Sequence, residues 1–380
     1  MEITVGKTEL LRELQLFQGI VERKNTIPIL ANILVEAEDN EDAVKFTATD
    51  LEVGLRSRCP ATTTKGGALT LPAKKLFEII RALPDTKVRL SESSGGVVHL
   101  EADRFNSRIQ ALPRDDFPAL PEPPGKKSST LPGVALSEMV SKTQFAITGE
   151  DTRFFLNGAL LILTGKTMDL VATDGHRLAL ASAPREPDDD DNEDPLTEDE
   201  GNGRVILPRK TLWELARLLG DEPGDVAYER GENHLFFDVG GRQLVSRMID
   251  AQFPAYERVI PEGNDKKIEF ERDRLTQAVK RVALLSSERS RAIKIQIDAG
   301  KVEISSSSPE VGEASEVIPV EYDDQATAIS FNASYVLDFL GAVGTDSIAL
   351  DFKDDVSQAV LTPVDPDGCA YTYVIMPMRI

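Results

Sequence analysis

The residues best placed to do chemistry lie in one short run, Val171-Ala-Thr-Asp-Gly-His-Arg177. A carboxylate two residues from an imidazole suits general acid–base work or a hydrolytic metal. Of the histidines, His99, His176 and His234, only His176 sits between a glycine and an arginine, with Asp174 as its candidate partner. No further His, Cys or ordered acid cluster completes a site around it. The Thr-Asp also occurs earlier, where Thr47-Ala-Thr-Asp50 ends a similar strand and Leu51-Glu52 stand in place of Gly175-His176. A carboxylate that recurs without the histidine reads as turn chemistry, an Asp bonding its own backbone. A hydrolase would need Asp50, Asp174 and His176 to converge, and would lose turnover on Asp174→Ala. Catalysis is the weaker reading, and no catalytic residue, metal site or cofactor is assigned.

Cys59 and Cys369 have no metal-ligand spacing around them and read as isolated thiols in a reducing compartment. The N-terminus lacks a basic region followed by an apolar stretch, and no run is long enough to span a bilayer, so a cytoplasmic protein is expected. Net charge is −21, but ten acids and no base fall between Glu186 and Glu200. This insertion, 186–203, is expected to be a disordered, self-repelling loop, and its acids lack the arrangement of a calcium-binding loop. With about half of the charge in one loop, the rest of the surface remains open to a nucleic-acid partner.

The elements that hold the Thr-Asp turns repeat with them. After each comes a Leu-Pro and an apolar helix, LPAKKLFEIIRAL from Leu71 and LPRKTLWELARLL from Leu207, then a Phe-Pro at 117–118 and 253–254. A fainter third copy has VEISSSSPEVGEASEV at 302–317 and the helix SFNASYVLDFLGAV from Ser330. Three related domains are expected, at 1–120, 128–254 and 255–380, and a self-similar chain tends towards an arc or ring. Helical periodicity places Leu10, Leu14, Phe17 and Val21 on one face, and likewise Leu275, Val279 and Val282. The second helices should bury Leu76, Phe77 and Ile80, then Leu212, Leu215 and Leu219, then Val336, Leu337 and Leu340. Alternating runs such as KVRLSES and HLFFDVG read as antiparallel strands. The fold class is α+β, with sheets covered by helices on one side.

Bases recur at corresponding places on these helices: Lys24, Lys74, Arg81, Arg209, Lys210, Arg217, Lys280 and Arg281. On an acidic chain they are candidates for a DNA-facing surface that touches phosphates only, without sequence choice.

ATDLEVGLRSR, VATDGHRLALAS, TRFFLNGALL, FPAYERVIP, FNASYVLDFL and the terminal YTYVIMPMRI together resemble the bacterial DNA sliding clamp, the β subunit of DNA polymerase III, from Met1 to Ile380 apart from the insertion. The resemblance implies three tandem clamp domains, antiparallel sheets outside and two helices per domain inside, and a head-to-tail homodimer closing a six-domain ring around duplex DNA. It implies a non-catalytic processivity factor that tethers the replicative polymerase, the clamp loader and repair proteins through short peptides. The matching peptide-pocket positions are Arg153, Leu156, Thr173, Gly175, His176, Arg177, Leu178, Pro254, Arg258, Val259, Asn332, Tyr335, Val356, Val374, Met376, Pro377, Met378, Arg379 and Ile380. Met376 and Met378 are adaptable side chains suited to several partners. Ring closure would bring Leu284 and Leu285 near Ile109 of the other copy, with Glu310, Glu313 and Glu316 facing Lys75, Arg104 and Arg108. Ser107 departs from the family pattern, where a large apolar residue is common. An acidic repeat-built adaptor without a DNA role is the alternative, and would stay monomeric.

Overall fold

The computed structural model describes every residue except 22–26, 40, 94, 126–127, 150, 186–202, 221–223, 367 and 380. The acidic insertion save Gly203, Lys24 and Ile380 therefore lie outside the described residues. Those described carry six α-helices, two in each repeat: α1 (Lys7–Phe17), α2 (Ala73–Ala82), α3 (Gly133–Thr143), α4 (Arg209–Leu219), α5 (Arg272–Ala283) and α6 (Ala333–Ala342). None is long and apolar enough to cross a membrane.

The helices bury the expected stripes with three differences. In α2 and α6, Phe77 and Leu337 are only half-buried, because each sits about 100° round from Leu76 or Val336. The place expected for Leu337 goes to Phe339, whose ring stacks 5.4 Å from both Tyr371 and Tyr373. Helix α1 stops at Phe17, short of Val21. Gly19 follows, and α4 packs so closely there that Arg217 and Glu214 occupy the space a β-carbon would need. Internal repetition extends to single bonds: Lys7 N donates to Thr86 O at 2.9 Å as α1 begins, and Arg272 N donates to Asp346 O at 2.8 Å as α5 begins.

The chain divides into two compact units, Met1–Val134 with Lys210–Met248, and Ala135–Arg209 with Ile249–Ile380. The first contains a 12-stranded antiparallel sheet. Its main path runs from edge strand Phe105–Gln110 through Glu2–Gly6 and Val53–Lys65 to Arg242–Arg247, ending at Ser129–Leu131. The second unit has an eight-stranded sheet, in which Arg177–Pro184 pairs Ala370–Ile375, and a four-stranded sheet with Gly312–Pro319 at one edge.

One rule joins the repeats. In the first unit the strand after the Thr-Asp turn, Val53–Arg56, pairs the last strand of the second repeat, with Val53 opposite Ser246. In the second unit Arg177–Ser182 pairs the last strand of the third repeat, with Arg177 opposite Ile375. Each repeat thus lends the edge after its turn to the final strand of the next. Gly312–Pro319, the third repeat's counterpart, pairs only Lys301–Ser308, and Phe105–Gln110, the first repeat's final strand, pairs only Val97–Ala102. Among the described residues, neither of these two strands has a second strand partner.

Candidate functional site

Both Thr-Asp turns close with the same bonds. Thr173 Oγ1 donates to Arg177 O at 2.7 Å and accepts from Gly175 N at 3.1 Å, while Asp174 Oδ1 accepts from the amides of His176 and Arg177. Thr49 and Asp50 repeat the set with Val53, Leu51 and Glu52. The middle residue has positive φ in each, +87° at Gly175 and 79° at Leu51, a region that penalises a side chain. The second oxygens are also engaged, Asp174 Oδ2 by Arg177 and Asp50 Oδ2 by Lys210. Carboxylates saturated in this way shape a loop and do not serve as bases. Among the described residues no group of three His, Cys, Asp or Glu is arranged to hold a metal.

Gly175 and His176 instead stand at the mouth of a mainly apolar cavity of about 280 Å³. Leu156, Leu178, Val374 and Tyr256 form its buried wall, and Arg153, His176, Pro254, Val259 and Met376 its rim. The turn aims the loop outward, and Met376 N donates to His176 O at 3.0 Å, extending the Arg177–Ile375 pairing by one bond so that Met376 overhangs the opening. Tyr256 opens a 3-10 turn in which Arg258 N donates to Ala255 O at 3.2 Å; its own amide donates to Pro254 O at 2.7 Å, and its ring meets Phe253 edge-on at 6.5 Å. On the rim, the Arg153 guanidinium grips Asp151 and holds that carboxyl down at about 2.

Arg177 lies deeper. Its guanidinium bonds Asp174 at 3.0 Å, Asp338 at 2.6 Å and the Phe145 carbonyl at 2.7 Å, and stands 4.3 Å from the Tyr335 ring centre and 5.3 Å from that of Phe145. Burial would lower its proton affinity, but Tyr373, Asp338 and Asp174 outweigh that and raise it. It clamps α6 and the segment after α3 to the turn.

Of the expected pocket residues, Arg153, Leu156, Thr173, Gly175, His176, Arg177, Leu178, Pro254, Val259, Val374 and Met376 line this cavity. Asn332 caps α6 through Ser334 N, and Tyr335 packs on Arg177 and accepts from Tyr373 OH through its carbonyl. Val356, Met378 and Arg379 line a separate polar groove of about 1000 Å³ on the outer face of the four-stranded sheet. The chain end switches sheets there, as Met378 N donates to Ser330 O at 2.7 Å. Arg258 is exposed, and neither it nor Pro377 lines either space. Sequence reasoning missed Phe155 and Tyr256, though both fall inside the quoted motifs TRFFLNG and FPAYERV.

In the first repeat, among the described residues, the corresponding place is filled. Gly54 takes the place of Leu178, and the Leu120 side chain, at the place of Tyr256, packs directly onto it. Arg56 holds that segment down through Leu120 O at 2.9 Å and Glu122 at 2.7 Å.

The proposed DNA-facing bases divide by environment. Lys74, Arg81 and Lys280 are exposed on α2 and α5, and Arg209 is half-buried. Lys210 is bound to Asp50 and to Ile20 O, Arg217 to Glu214 and Gln15 O, and Arg281 to Glu316 by two bonds. At the expected closing surface, Leu284 is 79% exposed and Leu285 half-buried, whereas Ile109 is already buried in its own chain. Glu316 and Lys75 are likewise taken within the chain, by Arg281 and Glu78.

Comparison with known proteins matches three family models along the chain: the DNA polymerase III beta subunit N-terminal domain at 1–121, central domain at 130–255 and C-terminal domain at 257–379. The chain is 37% identical to the beta sliding clamp of Pseudomonas aeruginosa and 33% identical to that of Escherichia coli, covering 100% of both chains in each pair. Solved structures that resemble it include the P. aeruginosa DnaN sliding clamp bound to griselimycin, at 37% identity, TM-score 0.90 and 100% coverage of both chains. The Caulobacter crescentus beta sliding clamp, with polyethylene glycol bound to its putative beta-motif tethering region, matches at 35% identity and TM-score 0.91, covering 100% of this chain and 99% of that one.

Proposed function

Since the chain belongs to the DNA polymerase III β-subunit family of sliding clamps, a non-catalytic processivity factor of DNA polymerase with the clamp fold, we propose that two copies close head to tail into a ring around duplex DNA and tether partners through the cavity beside the second Thr-Asp turn. The observation that carries this reading is the pair of unmatched sheet edges. The rule joining the first repeat to the second and the second to the third is satisfied for the third when Gly312–Pro319 meets Phe105–Gln110 of another copy. Exposed Leu284, Val311 and Val317 lie on the third repeat, near or on that edge, and Phe105 lies on the other. A ring holds DNA by topology, so it slides without reading sequence, and phosphate contacts from exposed Lys74, Arg81 and Lys280 suffice.

The cavity suits a short peptide with apolar anchors: it is small, largely apolar, rimmed by Met376 and Pro254, and overlooked by Arg153. Tethering works through effective concentration, so weak peptide binding is enough to keep a polymerase, a clamp loader or a repair protein on its template. The three domains, 1–120, 128–254 and 255–380, and a cytoplasmic setting go with this reading.

The test combines mass and topology. Light scattering across a dilution series should give twice the 41.6 kDa chain mass, and loaded protein should stay on nicked circular DNA but run off once the circle is cut. A strict monomer at high concentration, or equal retention on linear DNA, would remove the ring. Deleting Met376–Ile380 should leave the dimer and abolish partner-peptide binding; loss of both would place that segment in the core.

A further inference from the structure

In each repeat the chain leaves its last strand and crosses to the edge of a sheet: Leu112 bridges Thr70, Ile249 N donates to Ile206 O at 3.1 Å, and Met378 N donates to Ser330 O at 2.7 Å. These crossings put three sheet faces in correspondence. Leu34, Leu160 and Lys294 are equivalent, because each lies opposite the edge residue, Thr70, Ile206 or Ser330, on one side and opposite Thr47, Val171 or Ser305 on the other. In the first two repeats an irregular stretch of chain beyond the crossing lies on this face. Phe117 clusters with Leu34, while Tyr256, supported by Phe253 and Ile260, clusters with Leu160, Val171 and Ile206. In the third repeat Lys294, Ser305 and Ser330 instead line the polar groove of about 1000 Å³, with Ser315 opposite Ser305. Lys294 is exposed and, among the described residues, neither its ammonium nor the three hydroxyls has a hydrogen-bond or ion-pair partner.

We infer that this groove is a seat for a polar segment of a partner polypeptide that sets a carboxylate over Lys294. The seat is separate from the apolar cavity and needs no ring. None of Lys294, Ser305, Ser315 and Ser330 is among the pocket positions expected from the sequence. The class of occupant follows from the two sister faces, each of which holds polypeptide, and its polarity from the change of floor. Where Leu160, Val171 and Ile206 receive aromatic rings, Lys294, Ser305 and Ser330 present an ammonium and two hydroxyls, which an apolar cover would strip of water and leave unpaired. Glu303, Glu313 and Asp355 also line the groove. They repel the dense charge of a nucleic-acid backbone and favour a segment in which a single acid stands among basic or neutral residues.

A phage-displayed library of random peptides of about 12 residues, long enough to cross four strands, supplies the probe and is panned on the full chain. A class of clones with an Asp or Glu among Lys, Arg or neutral polar residues is expected. Calorimetry with the synthetic peptides should show Kd raised about tenfold or more by Lys294→Glu, which sets like charges against each other, and within about threefold of wild type for Lys294→Arg, which keeps the charge. Both variants should keep the wild-type circular dichroism, since the side chain is exposed. A selection in which no peptide depends on Lys294, or in which the peptides that depend on it are apolar, overturns the proposal. Gly175→Leu, which crowds the mouth of the apolar cavity, should remove apolar-anchor clones and leave the Lys294-dependent class unchanged. Absence of apolar-anchor clones from the wild-type selection would strike the cavity reading, while the Lys294 variants test the groove by itself.

Discussion

Replacing Arg177 by methionine tests whether the clamp beneath the cavity holds its walls together. The change removes a buried guanidinium and leaves four acceptors behind, Asp174, Asp338, the Phe145 carbonyl and, at 3.4 Å, the Tyr373 hydroxyl. Asp338, 41% exposed, returns to water at little cost. Asp174, 14% exposed, keeps two amide donors but loses its cation, and the Phe145 carbonyl loses a 2.7 Å bond. An unsatisfied buried acceptor costs about 1–3 kcal/mol and a broken buried ion pair about 3–5. With one carboxylate rehydrated, the sum belongs near the lower end, at about 3 kcal/mol. Urea denaturation followed by circular dichroism reads it. Adding Asp174→Asn to Arg177→Met should recover about 1 kcal/mol, because a neutral amide no longer needs the cation, although Asp174→Asn alone destabilises. A loss under about 1 kcal/mol for Arg177→Met, or no recovery in the double variant, would refute the claim that this pair carries the site. Partner-peptide affinity should fall along with stability.

Leu51 and Gly175 occupy one position in two turns, so Leu51→Gly should be neutral or stabilising by up to about 1 kcal/mol in denaturant, while Gly175→Leu should destabilise by about 1–3 and crowd Arg153 at the cavity mouth. Burial, with Glu13 and Glu9 assisting, pushes the Cys59 thiol up to about 12. Its contribution is complete below the unfolded value of about 9 and is lost as pH rises towards 12, so Cys59→Ala should flatten the stability loss above pH 9 in denaturation series. Leu284→Asp, at a position 79% exposed, should leave folding within about 0.5 kcal/mol while light scattering shows monomers. Leu120→Ala should uncover Gly54 and create weak apolar-peptide binding in the first repeat, detectable by calorimetry in a chain lacking Met376–Ile380.

Much of this architecture is legible in the residues. Thr-Asp carries its own turn, since the bonds it makes are local, and the helices follow from their apolar period. What periodicity misses is set by tertiary neighbours. Phe339 displaces Leu337 because Tyr371 and Tyr373 offer it a stack. Contiguous runs around Arg153, Thr173 and Pro254 converge on the cavity, yet Phe155 and Tyr256 pass unnoticed between them. Val356, Met378 and Arg379 fall in another groove because the chain end changes sheets at Met378, a crossing with no local signal. Lys210, Arg217 and Arg281 look like open cations in sequence, but carboxylates distant in the chain, save Glu214, hold them.

Leu120 lying on Gly54 bears on the stoichiometry of the proposed clamp. Had the first repeat kept an opening like the second, partners would crowd neighbouring seats on one chain. With that place filled, the proposed two-chain ring would carry the seat beside the second Thr-Asp turn twice, once on each copy, and none beside the first. On the proposed reading, exchange between a polymerase and a repair enzyme would have a waiting place on the opposite half, where the newcomer is already at high local concentration before the incumbent leaves.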